Sequence, residues 1–139
     1  GYLSHFLLSK VDTLNADLTM HLVDCFDDCD DDMFSPHPVS WVMDRLKSDS
    51  VRDCTGTRRG PAIAVLCGPF GLRIYLHRAT TVDAASRFPS SSVDLVFVDA
   101  KKSYESVKSD IEAWWPRLVP GGALAGAGFR YRVGGVRRA

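Results

Sequence analysis

The sequence predicts an α/β protein built on a mostly parallel, doubly wound sheet with helices on both faces. Three observations predict it. Apolar, strand-like runs alternate with segments of helical period along the 139 residues. Val93-Asp-Leu-Val-Phe-Val-Asp99 is an almost unbroken apolar run, the pattern of a parallel strand covered on both faces. Two of the strand-like runs end on an acid, at Asp24 and at Asp99. The length suits a single domain, 1–139, with one core.

Taken in order, Leu3, Phe6, Leu7, Leu8, Val11 and Leu14 recur at helical spacing and predict an amphipathic helix. Leu18 to Asp24 reads as a strand. An acidic loop, 24–34, comes next, and Ser35-Pro-His-Pro38 turns the chain into a helix carrying Val39, Val42, Met43 and Leu46. Residues 48–60 form a polar connector. Ala62–Cys67 and Leu72–His77 read as strands around the Gly68-Pro-Phe-Gly71 turn, a spacing that allows a hairpin. Ala79–Phe88 is a short helix ended by Pro89, and Ser90–Ser92 is a loop. After the Val93 strand, Tyr104, Val107, Ile111, Trp114 and Trp115 share one side of a helix. Pro116 ends that helix, Pro120-Gly-Gly122 makes a turn, and Ala123–Ala127 is a last core strand.

Composition excludes several classes. With 17 basic and 17 acidic side chains the formal charge is zero, so bulk charge predicts no polyanionic partner. Four arginines between Arg130 and Arg138 read as a soluble tail, and nucleic acid is not an expected partner. No apolar run reaches the roughly 18 residues of a membrane span, and no signal-peptide pattern opens the chain. Cys25, Cys29, Cys54 and Cys67 are too few and too irregular for a disulfide framework, which predicts free thiols in the cytoplasm. Zinc at Cys25 and Cys29 would need two more ligands, with His21 and His37 the nearby candidates; the spacing reads instead as cysteines flanking a loop. The six aspartates from Asp24 to Asp32 lack the spacing, glycine and closing glutamate of a calcium loop. No metal site is expected, and no nucleophile–base pair stands out.

In open parallel sheets, ligands bind beyond the carboxyl ends of the strands, where Asp24 and Asp99 fall. A carboxylate closing the second strand of such a unit can accept both hydroxyls of a ribose.

Val93 through Gly122, with Asp99-Ala-Lys-Lys-Ser-Tyr104 and Pro120-Gly-Gly122 within it, resembles the fourth strand, following helix and Pro-Gly-Gly turn of class I S-adenosylmethionine-dependent methyltransferases. The pattern is most similar to the branch carrying Asp-Ala-Asp-His-Ser-Tyr at that strand end. His77–Phe88 is similar to the segment beside the adenine. Gly1–Asp24 is similar to the helix and the acid-ended strand that come after the glycine-rich loop. The resemblance covers Gly1–Asp24 and roughly Ile74–Phe129. It implies a Rossmann-like fold and S-adenosylmethionine as cofactor. Asp24 would hold the ribose hydroxyls, Gly1 would be the remnant of the glycine loop, and Ala79 and Thr80 would border the adenine. Asp99 would face the methionine end of the cofactor and the small-molecule or sugar-like acceptor, as the catalytic residue. Tyr104 would shape that pocket or pack its helix onto the sheet, the second being the expected role.

The chain also departs from the family pattern. The glycine-rich loop, the strand before it and the C-terminal hairpin have no match, so the domain is expected to be incomplete at both ends. Lys101 and Lys102 replace an Asp and a His of the motif. Gly126-Ala-Gly-Phe129 replaces a segment that in related enzymes supplies a magnesium-binding acid, so metal-assisted transfer is not expected. These departures leave two readings open: an active methyltransferase, or a methyltransferase-like domain that serves as a structural or interaction module.

Overall fold

A computed structural model of the chain describes residues 6–7, 10, 17–25, 52–53, 64–68 and 72–128. Its contacts fall into two compact units, Gly1–Ala79 and Thr80–Ala139.

The first unit holds a four-stranded sheet of β1 (Thr19–Asp24), β2 (Arg52–Asp53), β3 (Ala64–Cys67) and β4 (Arg73–Arg78), in the order β1-β4-β3-β2. β1 lies parallel to β4, with Thr19 opposite Arg73 and Asp24 opposite Arg78. β3 and β4 form the antiparallel hairpin that their spacing allowed, and the Gly68 N–H donates to the Leu72 carbonyl at 2.9 Å to close it. The sheet is therefore mixed. β2 comes from the connector expected to be irregular; its two polar residues join only by pairing antiparallel with Leu66 and Cys67.

β4 sits inside the sheet and alternates as a covered strand must. Ile74 and Leu76 are fully buried on one face, across from Leu66, and His77 is buried on the other face with Val65. Leu66, Leu72, Ile74 and Leu76 form the core of this unit, each worth about 1.5–3 kcal/mol of burial. Of the helix predicted at the start, Phe6, Leu7 and Lys10 are helical, and the rest lies outside the described residues. The helix predicted after Pro38 and most of the acidic loop lie outside them too. Cys67 is in no disulfide, but Cys25 is disulfide-bonded. The expectation of four free thiols fails there, and a disulfide is not the ordinary state of a cytoplasmic cysteine.

The second unit pairs β5 (Val93–Val98) with β6 (Leu118–Gly126) in parallel, beside helices α1 (Thr81–Ala85) and α2 (Tyr104–Trp114). Each helix starts on a hydroxyl. Thr80 accepts from the Asp83 N–H and Ser103 from the Ser106 N–H, both at 3.2 Å. The helices lock together through Trp114, whose indole N–H donates to Thr81 Oγ1 at 2.8 Å while its ring meets Phe88. Ala84 and Ala85 are small enough to be buried there. Pro116 turns the end of α2 into a single 3₁₀ turn, Trp115–Arg117, as a proline must. That turn anchors the loop before β5, because the Pro116 and Arg117 carbonyls accept from the Ser91 and Ser92 N–H groups.

Three expectations change in this unit. Pro120-Gly-Gly122 does not separate a turn from a strand but lies inside β6 as an irregularity. Between the pairs Val93–Leu118 and Leu95–Ala123, β5 advances two residues and β6 five. Gly121 takes up the excess at φ +84°, a conformation few other residues tolerate. β5 is not covered on both faces by the described residues: Val96 is buried, whereas Leu95 and Phe97 are exposed. The buried stripe of α2 is Val107, Asp110 and Trp114, while Trp115 and, less fully, Tyr104 are exposed.

Asp110 is 2% exposed, and its Oδ2 finds no hydrogen-bond partner among the described residues. Burial pushes its pKa from 3.8 up to about 6, with the nearby Lys102 charge pulling the other way. The folded state therefore holds this proton more tightly than the unfolded chain does. Its contribution to stability is complete below about pH 4, falls as the pH rises towards 6, and is lost above that. Asp110→Asn should raise stability at neutral pH by about 1–2 kcal/mol, with little gain below pH 4. Denaturant unfolding at both pH values checks this; an equal effect at each would refute the assignment.

Candidate active site

The candidate site residues sit where parallel strands end. Asp24 is the last, exposed residue of β1. Parallel pairing brings the end of β4 alongside, so Arg78 is its register partner and the chain leaves β4 directly past it. The Ala79 N–H donates to the Asp24 carbonyl at 3.1 Å. Two of the residues singled out from the sequence, Asp24 and Ala79, are thus in direct contact. Arg78 was missed, although a cation one residue before Ala79 was visible in the sequence. Its charge stands beside the carboxylate proposed for ribose.

Thr80 is exposed, and its side chain is engaged at the start of α1, accepting from the Asp83 N–H and donating to Asp83 Oδ2 at 2.8 Å. Its hydroxyl is committed to the helix. Gly1 lies outside the described residues.

Asp99 comes just after the end of β5, with its side chain 63% exposed. Its Oδ1 accepts from Lys102 Nζ at 2.7 Å, a charge-assisted contact. Lys102 itself is mostly buried, at 20% exposure. Its methylene stem lies against the backbone of Gly128, where a Cβ would come within 2.9 Å of it. Gly128 has φ +92°, so the segment after β6 is shaped to admit this lysine. The same ammonium lowers the pKa of Asp110 against burial, so one cation serves two acids. Sequence reasoning treated Lys102 only as a lost histidine and missed Asp110. The signal for Asp110 was its place between Val107 and Trp114 on one helical stripe.

The sequence profile of a methyltransferase domain matches residues 5–126, and the chain belongs to that family. No curated protein and no solved structure matches it. The mixed α/β architecture with parallel strand pairs agrees with this membership. No described helix is long and apolar enough to cross a membrane.

The shared cation makes a testable prediction. Lys102→Met removes the charge that opposes burial at Asp110, so the Asp110 carboxyl should titrate above about pH 6. Global stability should change by no more than roughly 1 kcal/mol through the partly exposed Asp99 pair. Carboxyl carbon NMR titration reads the first effect and thermal unfolding the second. An unmoved Asp110 midpoint would show that Lys102 does not act on it.

Proposed function

We propose that this domain binds S-adenosylmethionine and transfers its methyl group to a small-molecule or sugar-like acceptor. The observation that carries the reading is Asp24. In a chain of the methyltransferase family, an exposed carboxylate closes a parallel strand, and its backbone holds the start of the next segment, Ala79. A carboxylate so placed fits the two ribose hydroxyls, which would donate to it, and Ala79, whose N–H donates to the Asp24 carbonyl, would border a base. The first strand, the glycine loop and the C-terminal hairpin have no counterpart among the described residues.

When bound, the cofactor supplies an electrophilic methyl on a cationic sulfur; the protein has mainly to hold and align the reactants. Asp24 would bind the ribose. Asp99 would face the reacting end, with its charge shared with Lys102, and would take a proton from an acceptor that must lose one. The reading needs no metal in the transfer.

One observation favours the second reading, a domain that no longer catalyses. Lys102 already holds the carboxylate that would attract the sulfonium. Calorimetric titration with S-adenosylhomocysteine separates the two. The enzyme reading expects saturable binding, weakened roughly tenfold or more by Asp24→Ala, since each charge-assisted hydrogen bond is worth about 1.5–3 kcal/mol. Absence of binding by the folded wild type would leave the interaction module as the function. Unchanged affinity in Asp24→Ala would remove the ribose role from β1.

A further inference from the structure

Asp99 and Lys102 form a charge pair that differs from an ordinary surface salt bridge. Exposed lysines keep most of their freedom, and the pairs they make contribute little. Here the lysine is the better-covered partner, 20% exposed against 63% for the carboxylate. Its stem passes over Gly128, where an added Cβ would stand 2.9 Å from Cδ and 3.0 Å from Cε. At φ +92° a side chain at residue 128 would be strained as well as crowded, so this segment leaves room for the lysine. The ammonium is delivered to Asp99 Oδ1 at 2.7 Å, and no described residue donates to Oδ2. The carboxylate thus keeps one open oxygen beside a cation that is held by its stem.

We propose, on the reading that S-adenosylmethionine binds with its sulfur towards Asp99, that Lys102 is a specificity-determining residue. It cancels the charge preference of the carboxylate, so the cationic methyl donor and its neutral thioether product bind with similar affinity.

The two ligands differ at sulfur by one methyl group and one positive charge, and their other ionised groups are the same. A lone carboxylate facing the sulfur would favour the sulfonium, and a lone ammonium would favour the thioether. The pair presents one charge of each sign 2.7 Å apart, and the two fields largely offset each other at a ligand. A lysine free to swing out would let an arriving sulfonium restore the preference of the acid. The stem seated over Gly128 opposes that movement. The domain thereby lacks the discrimination against spent product that a bare acid would supply, and its occupancy follows the ratio of donor to product.

Calorimetric titration of the full chain with S-adenosylmethionine and with S-adenosylhomocysteine, at low and at high salt, tests this. The wild type should bind the two within about threefold of each other, because the opposite charges offset. Lys102→Met keeps an apolar stem over Gly128 and removes the charge. It should shift the affinity ratio about fivefold or more towards the sulfonium, since like charges about 4 Å apart repel by that factor even in bulk water. Asp99→Asn changes an exposed side chain and should shift the ratio the opposite way. Both shifts should shrink at high salt. A merely structural effect of either substitution would weaken both ligands alike and ignore salt. A wild type that favours the sulfonium as strongly as Lys102→Met does, or a ratio unmoved by both variants, would overturn the role of Lys102 and leave the cofactor reading intact. If Lys102→Met fails to fold, the wild type and Asp99→Asn decide. Absence of binding of both ligands by the folded wild type would remove the cofactor reading and this role with it.

Discussion

Parallel pairing is the constraint on which the functional layout depends. When two neighbouring strands run the same way, their carboxyl ends reach the same edge of the sheet, and the segments that leave them meet there. The β1–β4 register turns that rule into a set of contacts. Asp24 arrives beside Arg78, and the first residue beyond β4, Ala79, donates its N–H to the Asp24 carbonyl. An antiparallel pair would have placed the start of one strand against the end of the other and left Asp24 without this neighbour. β5 and β6 repeat the arrangement, with Asp99 just past the end of one and the segment through Gly128 just past the end of the other. The Lys102 stem fills the space over Gly128 and reaches Asp99 because both segments leave their strands at the same edge.

The charges at the second edge are governed by one lysine. Asp99 is exposed, whereas Asp110 is buried where an uncompensated charge is costly. Lys102 gives its hydrogen bond to the exposed acid and only its field to the buried one. The buried acid is therefore the group whose charge is most sensitive to what happens at Asp99. Any cation drawn to Asp99 competes with Lys102, and any displacement of the ammonium changes the field at Asp110. Lys102 thus sets the electrostatics of both acids, Asp99 at the proposed reacting end and the buried Asp110.

How much of this was legible in the sequence depends on the range of each interaction. β1, β3, β4 and β5 could be read because a strand covered on at least one face must repeat its apolar residues locally. The family membership could be read because Val93–Gly122 carries its pattern in one continuous stretch. β2 could not, since two polar residues in a connector become a strand only by backbone pairing with a distant partner. Pro120-Gly-Gly122 read as a turn because bulges and turns use the same residues; what distinguishes them is the register of a neighbouring strand. Asp110 was hidden because helical patterning assigns acids to the wet face. His21 and His77 are 56 positions apart, and nothing local predicts that their rings meet.

The histidine pair and Asp24 draw on opposite faces of one short strand. Successive side chains of β1 alternate between faces, so the carboxylate at its end and the imidazole three residues earlier point to opposite sides. Both arrangements depend on the β1–β4 register, because a one-residue slip would carry Asp24 away from Ala79 and His21 away from Tyr75 together. The burial of Ile74 and Leu76 against Leu66 opposes that slip. The apolar core of the first unit thereby fixes both the edge that carries Asp24 and the face that carries the two histidines.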